Sequence, residues 1–438
     1  MRSFIADTIT PIGAYRAVAQ AGASCLLESA QSGSQLSRYS FIGLDYVGQA
    51  QFESNDSLIP QIRAFVQEHR EGVAGLPGFP GAALVAFAYD AARAQARLGK
   101  AQGIAPPTPD AFVAIPGTWL IFDHFTHRVE IHVLASSERL AQARAESYER
   151  CILSAAADTP QTVGIHGEIS QSIGRERYLE LVRAVKKHIY DGDVYQLQLG
   201  IRFSAELVGR PLDLYRHLRS KNPSPYMFYV DTPFGQLLGA SPEFLVRLEG
   251  ERARVRPLAG TRSRGETPAE DLAAETELLE NEKERAEHVM LVDLGRHDLG
   301  SVCKSGSVRV QELMHIERYS HVMHIVSDIV GELAEGRDGL DLFAAGFPAG
   351  TVTGTPKVRA MQLIDEMEPV ARGFYAGSIG RLVFSGDFDS CITLRSIHVA
   401  QGRAWWQASA GIVADSDAEF EYEEIFHKTR IIRDVLAC

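Results

Sequence analysis

Two clusters of carboxylates lie far apart in this chain but repeat one spacing. The first is Glu282-Lys-Glu-Arg-Ala-Glu-His288 and the second is Glu421-Tyr-Glu-Glu-Ile-Phe-His-Lys428. Glu284 and Glu287 are three positions apart, as are Glu421 and Glu424, so on helices each pair occupies one face. Lys428 lies four beyond Glu424 and joins the second face. Brought together, the two faces would form a carboxylate cage for a hard divalent cation, with a lysine beside it for an anion. That is the chemistry of a Mg²⁺-dependent enzyme acting on a small acidic substrate. Taken singly, each face reads more simply as a solvated surface with ordinary charge pairs.

Local signals place both clusters on helices. Thr267-Pro-Ala-Glu270 offers a threonine cap, proline at the first helical position and glutamate three after the cap, and predicts a helix running to about Asp293. Ser416-Asp-Ala-Glu419 predicts the start of a last helix that runs nearly to Cys438. Between them stand three glycine-bearing turns, Phe347–Lys357, Tyr375–Gly380 and Ala408–Ile412. Glycine lets backbone N–H groups approach an anion closely. None of the three has P-loop spacing, and plain turn geometry is the simpler account of each.

Upstream, Cys25–Leu27, Tyr39–Gly43, Ala82–Tyr89 and Val129–Ala135 read as strands, and Ser137–Ala157 as a helix. The polar stretch Asp158–Gln161 is the best boundary, dividing a region of residues 1–160 from one of 161–438. With 438 residues, 45% of them hydrophobic, the chain has material for a substantial core. A net charge of −12 with no long basic run argues against a nucleic-acid partner. The N-terminus lacks the apolar core of a signal peptide, and no run of about 18 apolar residues suggests a membrane span. Five cysteines, odd in number and scattered, read as reduced thiols of a cytoplasmic protein.

Several motifs in order carry a resemblance. They are Gly192-Asp-Val-Tyr-Gln-Leu-Gln-Leu, Ser241-Pro-Glu-Phe-Leu, Arg256-Pro-Leu-Ala-Gly-Thr-Arg and Glu284-Arg-Ala-Glu-His-Val-Met-Leu-Val-Asp-Leu-Gly-Arg. His321-Val-Met-His-Ile-Val, the Pro-Ala-Gly-Thr turn, Ile392-Thr-Leu-Arg-Ser and Ala410-Gly-Ile-Val-Ala-Asp-Ser-Asp continue the series. Over roughly residues 165–435 the chain resembles the chorismate-utilising enzymes. Leu26-Leu-Glu-Ser29 and Arg38-Tyr-Ser-Phe-Ile-Gly43 are typical of the members that add an amine.

The resemblance implies an α/β (α+β) layered unit with two large antiparallel β-sheets packed together and helices outside. It implies Glu287 and Glu424 as Mg²⁺ ligands, with Glu284 and Glu421 close by. Arg395 and Lys428 would hold substrate carboxylate oxygens, helped by the Ala410 and Gly411 N–H groups and the Tyr375 hydroxyl. Glu243 matches the acid that assists loss of the ring hydroxyl, and burial beside Phe244 and Leu245 would raise its pKa. His324 matches the histidine linked to elimination of pyruvate, whereas His321 is expected to be structural. Thr261 and Thr351 match polar positions lining the site.

Three positions bear on the branch of the family. Members that add water carry a lysine base where this chain has Gln196, and a neutral amide cannot deprotonate water, so ammonia is the expected nucleophile. Ala259 stands where aminodeoxychorismate synthases commonly carry a lysine suited to covalent attachment. Leu27, Glu28 and Ser29, with Asn222, Pro223, Pro225, Tyr226 and Met227, resemble a tryptophan feedback site. The implied activity is that of an anthranilate synthase large subunit, with ammonia delivered by a glutamine amidotransferase on a separate chain and tryptophan as inhibitor. Aminodeoxychorismate synthesis, or a reaction halted at aminodeoxyisochorismate, are the alternatives. Two departures stand out: His297 replaces the family's usual asparagine, and Ala82–Asp90 is less glycine-rich than usual.

Overall fold

Short strands with both faces apolar, such as Ala82-Ala-Leu-Val-Ala-Phe87, must lie between two layers, because successive side chains point to opposite faces. A computed structural model describes residues 1–19, 24–29, 38–71, 79, 81–99, 108–318 and 322–437. Its first elements are β1 (Arg2–Ile5), α1 (Pro11–Val18), β2 (Ser24–Glu28), β3 (Tyr39–Phe52), α2 (Leu58–Glu71), β4 (Ala82–Phe87), β5 (Ala111–Asp123), β6 (Arg128–Val133) and α3 (Glu138–Leu153). There follow β7 (Gly164–Gln171), α4 (Arg175–Tyr190), β8 (Gln196–Val208), α5 (Pro211–Lys221), β9 (Tyr226–Thr232), β10 (Gly235–Ser241), β11 (Phe244–Glu249), β12 (Arg252–Val255) and β13 (Leu258–Ser263). The chain ends with α6 (Pro268–Glu280), α7 (Glu282–Gly300), β14 (Arg309–Arg318), β15 (Val322–Glu332), α8 (Gly339–Gly346), β16 (Gly354–Thr355), α9 (Lys357–Met367), β17 (Ser378–Val383), β18 (Phe388–Ile392), β19 (Ser396–Ala400), β20 (Arg403–Ile412) and α10 (Ala418–Leu436).

All pairings among the described strands are antiparallel, and the two expected sheets are two arms of one hydrogen-bonded network. One arm runs β8–β20–β19–β10–β9–β2–β3–β5. The other runs β5–β4–β17–β18–β11–β12–β15, with β13 and β14 also on β15. The long strand β5 belongs to both, since it pairs with β3 along its length and with β4 and then β6 on its other edge. Between the arms lies a core of Cys25, Phe228, Val230 and Leu237 against Ala82, Leu84, Ala86, Ile379 and Cys391. On the outer face of the first arm, Tyr178, Val182, Leu214, Ile425 and Ile432 pack from α4, α5 and α10. The outer face of the second receives Ile62, Val292 and Phe343 from α2, α7 and α8, with Phe87 stacked on Phe343 at 4.0 Å between ring centroids.

Asp158–Gln161 is exposed, yet the strands on either side of it pair: β2 with β9 and β4 with β17. The helix Ser137–Ala157 appears as α3, capped by Ser137. The strand expected over Ala82–Tyr89 stops at Phe87 and gives way to a 3₁₀ turn at Tyr89–Ala92. Among the described residues no helix is long and apolar enough to cross a membrane, and Cys25, Cys151, Cys303 and Cys391 are free thiols.

One expectation needs correction: the helix from Thr267 to about Asp293 is two helices. Thr267 and Glu270 form the expected capping box of α6, but Asn281 takes an extended conformation (φ −67°, ψ 109°) and ends it. The Asn281 side chain then caps α7 by accepting from the Glu284 N–H at 3.1 Å, and α7 continues to Gly300. This break sets the direction of the helix that carries the first carboxylate face. Replacing Asn281 with alanine removes the cap and is expected to cost about 1 kcal/mol. Urea unfolding should show a lower midpoint with an unchanged slope; an unchanged midpoint would mean that the cap does not hold α7.

Candidate active site

The site is built where β8 and β20 run side by side and the chain segment before α9 folds onto them. Gln196 and Gln198, two apart on a strand, project from one face. Gln196 Nε2 donates to Glu287 Oε1 at 2.8 Å, and Gln198 Oε1 accepts from Ser409 Oγ at 2.9 Å. With that proton committed, Ser409 Oγ accepts from the Tyr375 hydroxyl at 2.8 Å, so this hydroxyl, expected to reach a carboxylate, is turned onto Ser409. Lys428 Nζ donates to the Ser409 carbonyl at 2.9 Å and lies 3.0 Å from Glu424 Oε1.

Two glycines make this closeness possible. Gly354 has φ 140°, and a Cβ there would stand 2.2 Å from the Gln196 carbonyl oxygen. A Cβ on Gly411 would stand 2.9 Å from the amide nitrogens of both Gln196 and Gln198. The expected Ala408–Ile412 turn is therefore corrected. Ala410 and Gly411 lie within β20, opposite Leu199 and Gln198, and the glycine makes room for amides instead of reversing the chain.

The faces of α7 and α10 come within electrostatic reach: Lys283 on α7 lowers the pKa of Glu421, and Lys428 on α10 lowers that of Glu287. Burial still dominates. It pushes the Glu421 carboxyl up to about 7, reinforced by Glu424, and raises Glu287, reinforced by Glu284. Buried oxygen donors held toward protonation by desolvation and mutual repulsion are a set that a divalent cation stabilises as carboxylates. The Gln196 Oε1 atom, buried beside Glu287 and without a partner, adds a neutral oxygen. Glu287 and Glu421 thus suit Mg²⁺, whereas Glu424 is paired with Lys428 at 3.0 Å and Glu284 with Arg262 at 3.1 Å.

These carboxylates are not drawn into one tight set. Among the described residues, the group of potential metal donors that closes within 4.8 Å is Glu312, His315 and Asp328 on β14 and β15. There Arg254 already pairs with Asp328 at 2.6 Å and Arg256 lies 3.5 Å from it, which makes the cluster an ion-pair node.

Glu243 and His324 are the acid and base candidates. Glu243 is buried, and desolvation pushes its carboxyl up to about 8 against the opposing hydrogen bond donated by Thr351 Oγ1 at 3.3 Å. It borders a cavity of about 50 Å³ shared with Leu291 and Leu294 of α7 and with Gly350. His324 lies opposite Thr261 in the β13–β15 ladder. Its Nδ1 is 3.0 Å from the Gly260 carbonyl oxygen and from Thr261 Oγ1. A carbonyl can only accept, so Nδ1 carries the proton and Nε2 the lone pair. Burial pulls the His324 pKa down to about 4, and the charge of Arg395 acts in the same direction. His321 lies outside the described residues.

A separate cavity of about 260 Å³ lies between the arms, bordered by Leu27, Glu28, Ser29, Pro225, Tyr226 and Met227. Arg247, Arg381, Asp389 and the rings of Tyr39 and Phe41 complete it, so it presents both charge signs beside aromatic surface. The Glu28 carboxylate is turned away into α5, accepting from Tyr215 at 2.6 Å and Arg219 at 3.0 Å. Asn222 and Pro223 do not border this cavity; the Asn222 side chain meets Arg395.

Sequence reasoning missed Gln198, Ser409 and the buried pair Arg372–Glu368, separated by 2.7 Å. Gln198 was legible as the second inward residue of Gln-Leu-Gln. Arg372 donates to the Val352 and Gln198 carbonyls, at 2.7 and 2.9 Å, and so stitches the turn that carries Thr351 to β8. Nothing local in the sequence marks that role.

The chorismate binding enzyme family matches residues 23–434. Anthranilate synthase component 1 of Streptomyces coelicolor is 42% identical, over 98% of this chain and 87% of its own length. The protein of the same name from Thermus thermophilus is 41% identical, over 98% of this chain and 96% of its own. The crystal structure of anthranilate synthase component I from Streptococcus pneumoniae superimposes with a TM-score of 0.79 at 32% identity, covering 99% of this chain and 100% of that one.

Two outcomes test the electrostatics. Because the folded pKa of Glu243 exceeds its ordinary value of 4.5, the folded state binds the extra proton, and stability should fall as pH rises from about 4.5 to about 8. Glu243→Gln removes this dependence, so its stability relative to wild type should improve by several kcal/mol across that window; a constant difference would show that Glu243 titrates normally. Arg372→Met leaves Glu368 buried without its partner and should cost about 3–5 kcal/mol in urea unfolding, whereas a loss below ~1 kcal/mol would contradict the pairing.

Proposed function

The chain belongs to the chorismate-binding enzymes, and on that premise we propose that it converts chorismate and ammonia to anthranilate and pyruvate. The observation that carries this reading is Gln196: a neutral amide bound to Glu287 at 2.8 Å stands where a base would be needed to activate water. Ala259, lacking a nucleophile, supports amination at C2 over covalent attachment to the ring. The names of the relatives, anthranilate synthase component 1, agree with it.

In the proposed sequence, Arg395 and Lys428 hold the carboxylates of chorismate. Ammonia bonds to C2 while the ring double bonds shift and the C4 hydroxyl leaves as water with the proton of Glu243. A carboxyl whose pKa is raised to about 8 is protonated at neutral pH and can supply it. In the second step His324 Nε2 accepts the C2 proton as the bond to the enolpyruvyl oxygen breaks, and the ring becomes aromatic. Enolpyruvate then leaves and is protonated to pyruvate. A histidine that burial keeps neutral is ready for that role. Mg²⁺ on Glu287 and Glu421 would neutralise a substrate carboxylate and fix its position.

Residues 161–438 supply these groups, and residues 1–160 supply one wall of the cavity between the arms. Its paired charges and aromatic surface suit a zwitterion with an aromatic side chain, and we assign it to tryptophan as feedback inhibitor. Ammonia would come from a glutamine amidotransferase partner, while free ammonium would bypass that partner.

Chorismate, Mg²⁺ and excess ammonium should yield fluorescent anthranilate and equimolar pyruvate on liquid chromatography. A 4-amino product, or a 2-amino product without pyruvate, would overturn the assignment. Glu287→Gln should raise the Mg²⁺ concentration for half-activation by about 100-fold, and unchanged Mg²⁺ dependence would remove Glu287 from the metal.

A further inference from the structure

Each turnover of the proposed reaction takes the proton of Glu243, so this carboxylate must be reloaded before the next one. Glu243 is buried, and Thr351, which donates to it at 3.3 Å, is an alcohol too weakly acidic to resupply it. The cavity of about 50 Å³ beside Glu243 has room for a few water molecules, provided that its wall offers them polar partners. The polar side chains that border it are those of Glu243, Thr351, Arg256 and Asp298. Arg256 is committed to Glu317 and lies 3.5 Å from Asp328, and a guanidinium does not release its proton near neutral pH. That leaves Asp298, on the face of α7 that also carries Leu291 and Leu294 to the cavity.

The rest of the mechanism has no use for Asp298. Lys357, which opens α9, donates to both of its oxygens at 3.1 Å and lies 3.5 Å from the Gly346 carbonyl at the end of α8. The pair is not sealed, since the Asp298 and Lys357 side chains keep 13% and 16% of their exposure. Asp298 therefore meets the cavity on one side and solvent on the other. Burial raises its pKa, against the opposing charges of Lys357 and of His297, which is exposed on the same helix. A staple joining α7, α8 and α9 would work equally well facing away from the cavity.

We propose that Asp298 reloads Glu243 with a proton from solvent, passed through water in the shared cavity, and that Lys357 fixes the Asp298 oxygens for this transfer. The proposal rests on Glu243 being the acid of the proposed reaction, and the pair acts through Glu243, never on the substrate. In this step the Asp298 O–H bond breaks as a cavity water takes its proton. That water passes one of its own to the Glu243 carboxylate, and a hydronium ion or buffer acid in solvent restores Asp298. Only O–H bonds are exchanged.

The experiment follows anthranilate fluorescence by stopped flow, with the full-length protein, chorismate, Mg²⁺ and ammonium, and resolves the first turnover from the steady state. In Asp298→Asn, Glu243 still starts protonated, so the first anthranilate per site should form at the wild-type rate. Later turnovers should slow about 100-fold, the lower end of what a positioned proton donor supplies. In D₂O the slow phase should slow further, while the isotope effect on the first turnover stays that of wild type. Because Asp298→Asn strands the Lys357 charge, the double variant Asp298→Asn/Lys357→Met removes both charges and should show the same split. A slowed first turnover in the double variant would make the pair a structural staple and overturn the relay. A wild-type steady state in it would overturn the relay too, since another donor, such as ammonium, would then reload Glu243. Glu243→Gln should lose the first turnover as well. Full turnover by that variant, or no anthranilate from wild type, would refute the acid assignment itself, and neither result involves the Asp298 variants.

Discussion

Burial of ionisable groups away from water is the constraint around which this molecule is arranged. Desolvation is the largest influence on Glu243, His324, Glu287 and Glu421 alike, and in each it favours the uncharged form. The result is a Glu243 carboxyl held toward its protonated form and a His324 imidazole held neutral, with further carboxylates raised by burial at Glu287 and Glu421. Neighbouring groups only adjust this pattern: Thr351 opposes it at Glu243, and Arg395 reinforces it at His324. By contrast, the buried pair Arg372–Glu368 is compensated, anchored by carbonyls and by the Gly200 N–H. At that pair buried charge is balanced by a partner, and at Glu243 it is not.

Holding such groups dry requires a scaffold that does not yield. The strand network provides it, because β5 carries hydrogen bonds into both arms and the alternating faces of β4 feed two different cores. The functional groups sit at strand ends and on the two helices that cover the arms, where they are near solvent but enclosed. Gly354 and Gly411 allow backbone and amide groups to approach more closely than any side chain would permit. The cavity between the arms uses the same scaffold from its inner side, and the segment from Asn222 to Met227 is common to both regions.

Much of this is legible in the sequence. The i, i+3 carboxylates, the capping box at Thr267 and the apolar run Ala82–Phe87 each report a local rule and appear in the structure, while the last helix starts where Ser416–Glu419 placed it but is capped by Asp417 without a capping box. The break at Asn281 escapes notice although asparagine followed three residues later by glutamate is a helix-start pattern; the helical periodicity on both sides masks it. Ala410–Gly411 reads as a turn because glycine signals turns, whereas here it answers the bulk of two glutamines contributed by another strand. The link between Asn222 and Arg395 spans 173 positions, and the joining of the two sheets through β5 is equally a product of tertiary pairing. Neither leaves a local trace. The motif resemblance supplies the roles of Glu243 and His324, but their proton states follow only from burial.

The most direct test of that claim is the protonation state of His324 itself. Imidazole ¹⁵N spectra of the labelled protein, recorded from about pH 5 to 8 and assigned against His324→Gln, report tautomer and charge together. The account predicts a single neutral form protonated on Nδ1 throughout this range. A ring that becomes cationic with a midpoint near the ordinary ~6.5, or one protonated on Nε2, would contradict it.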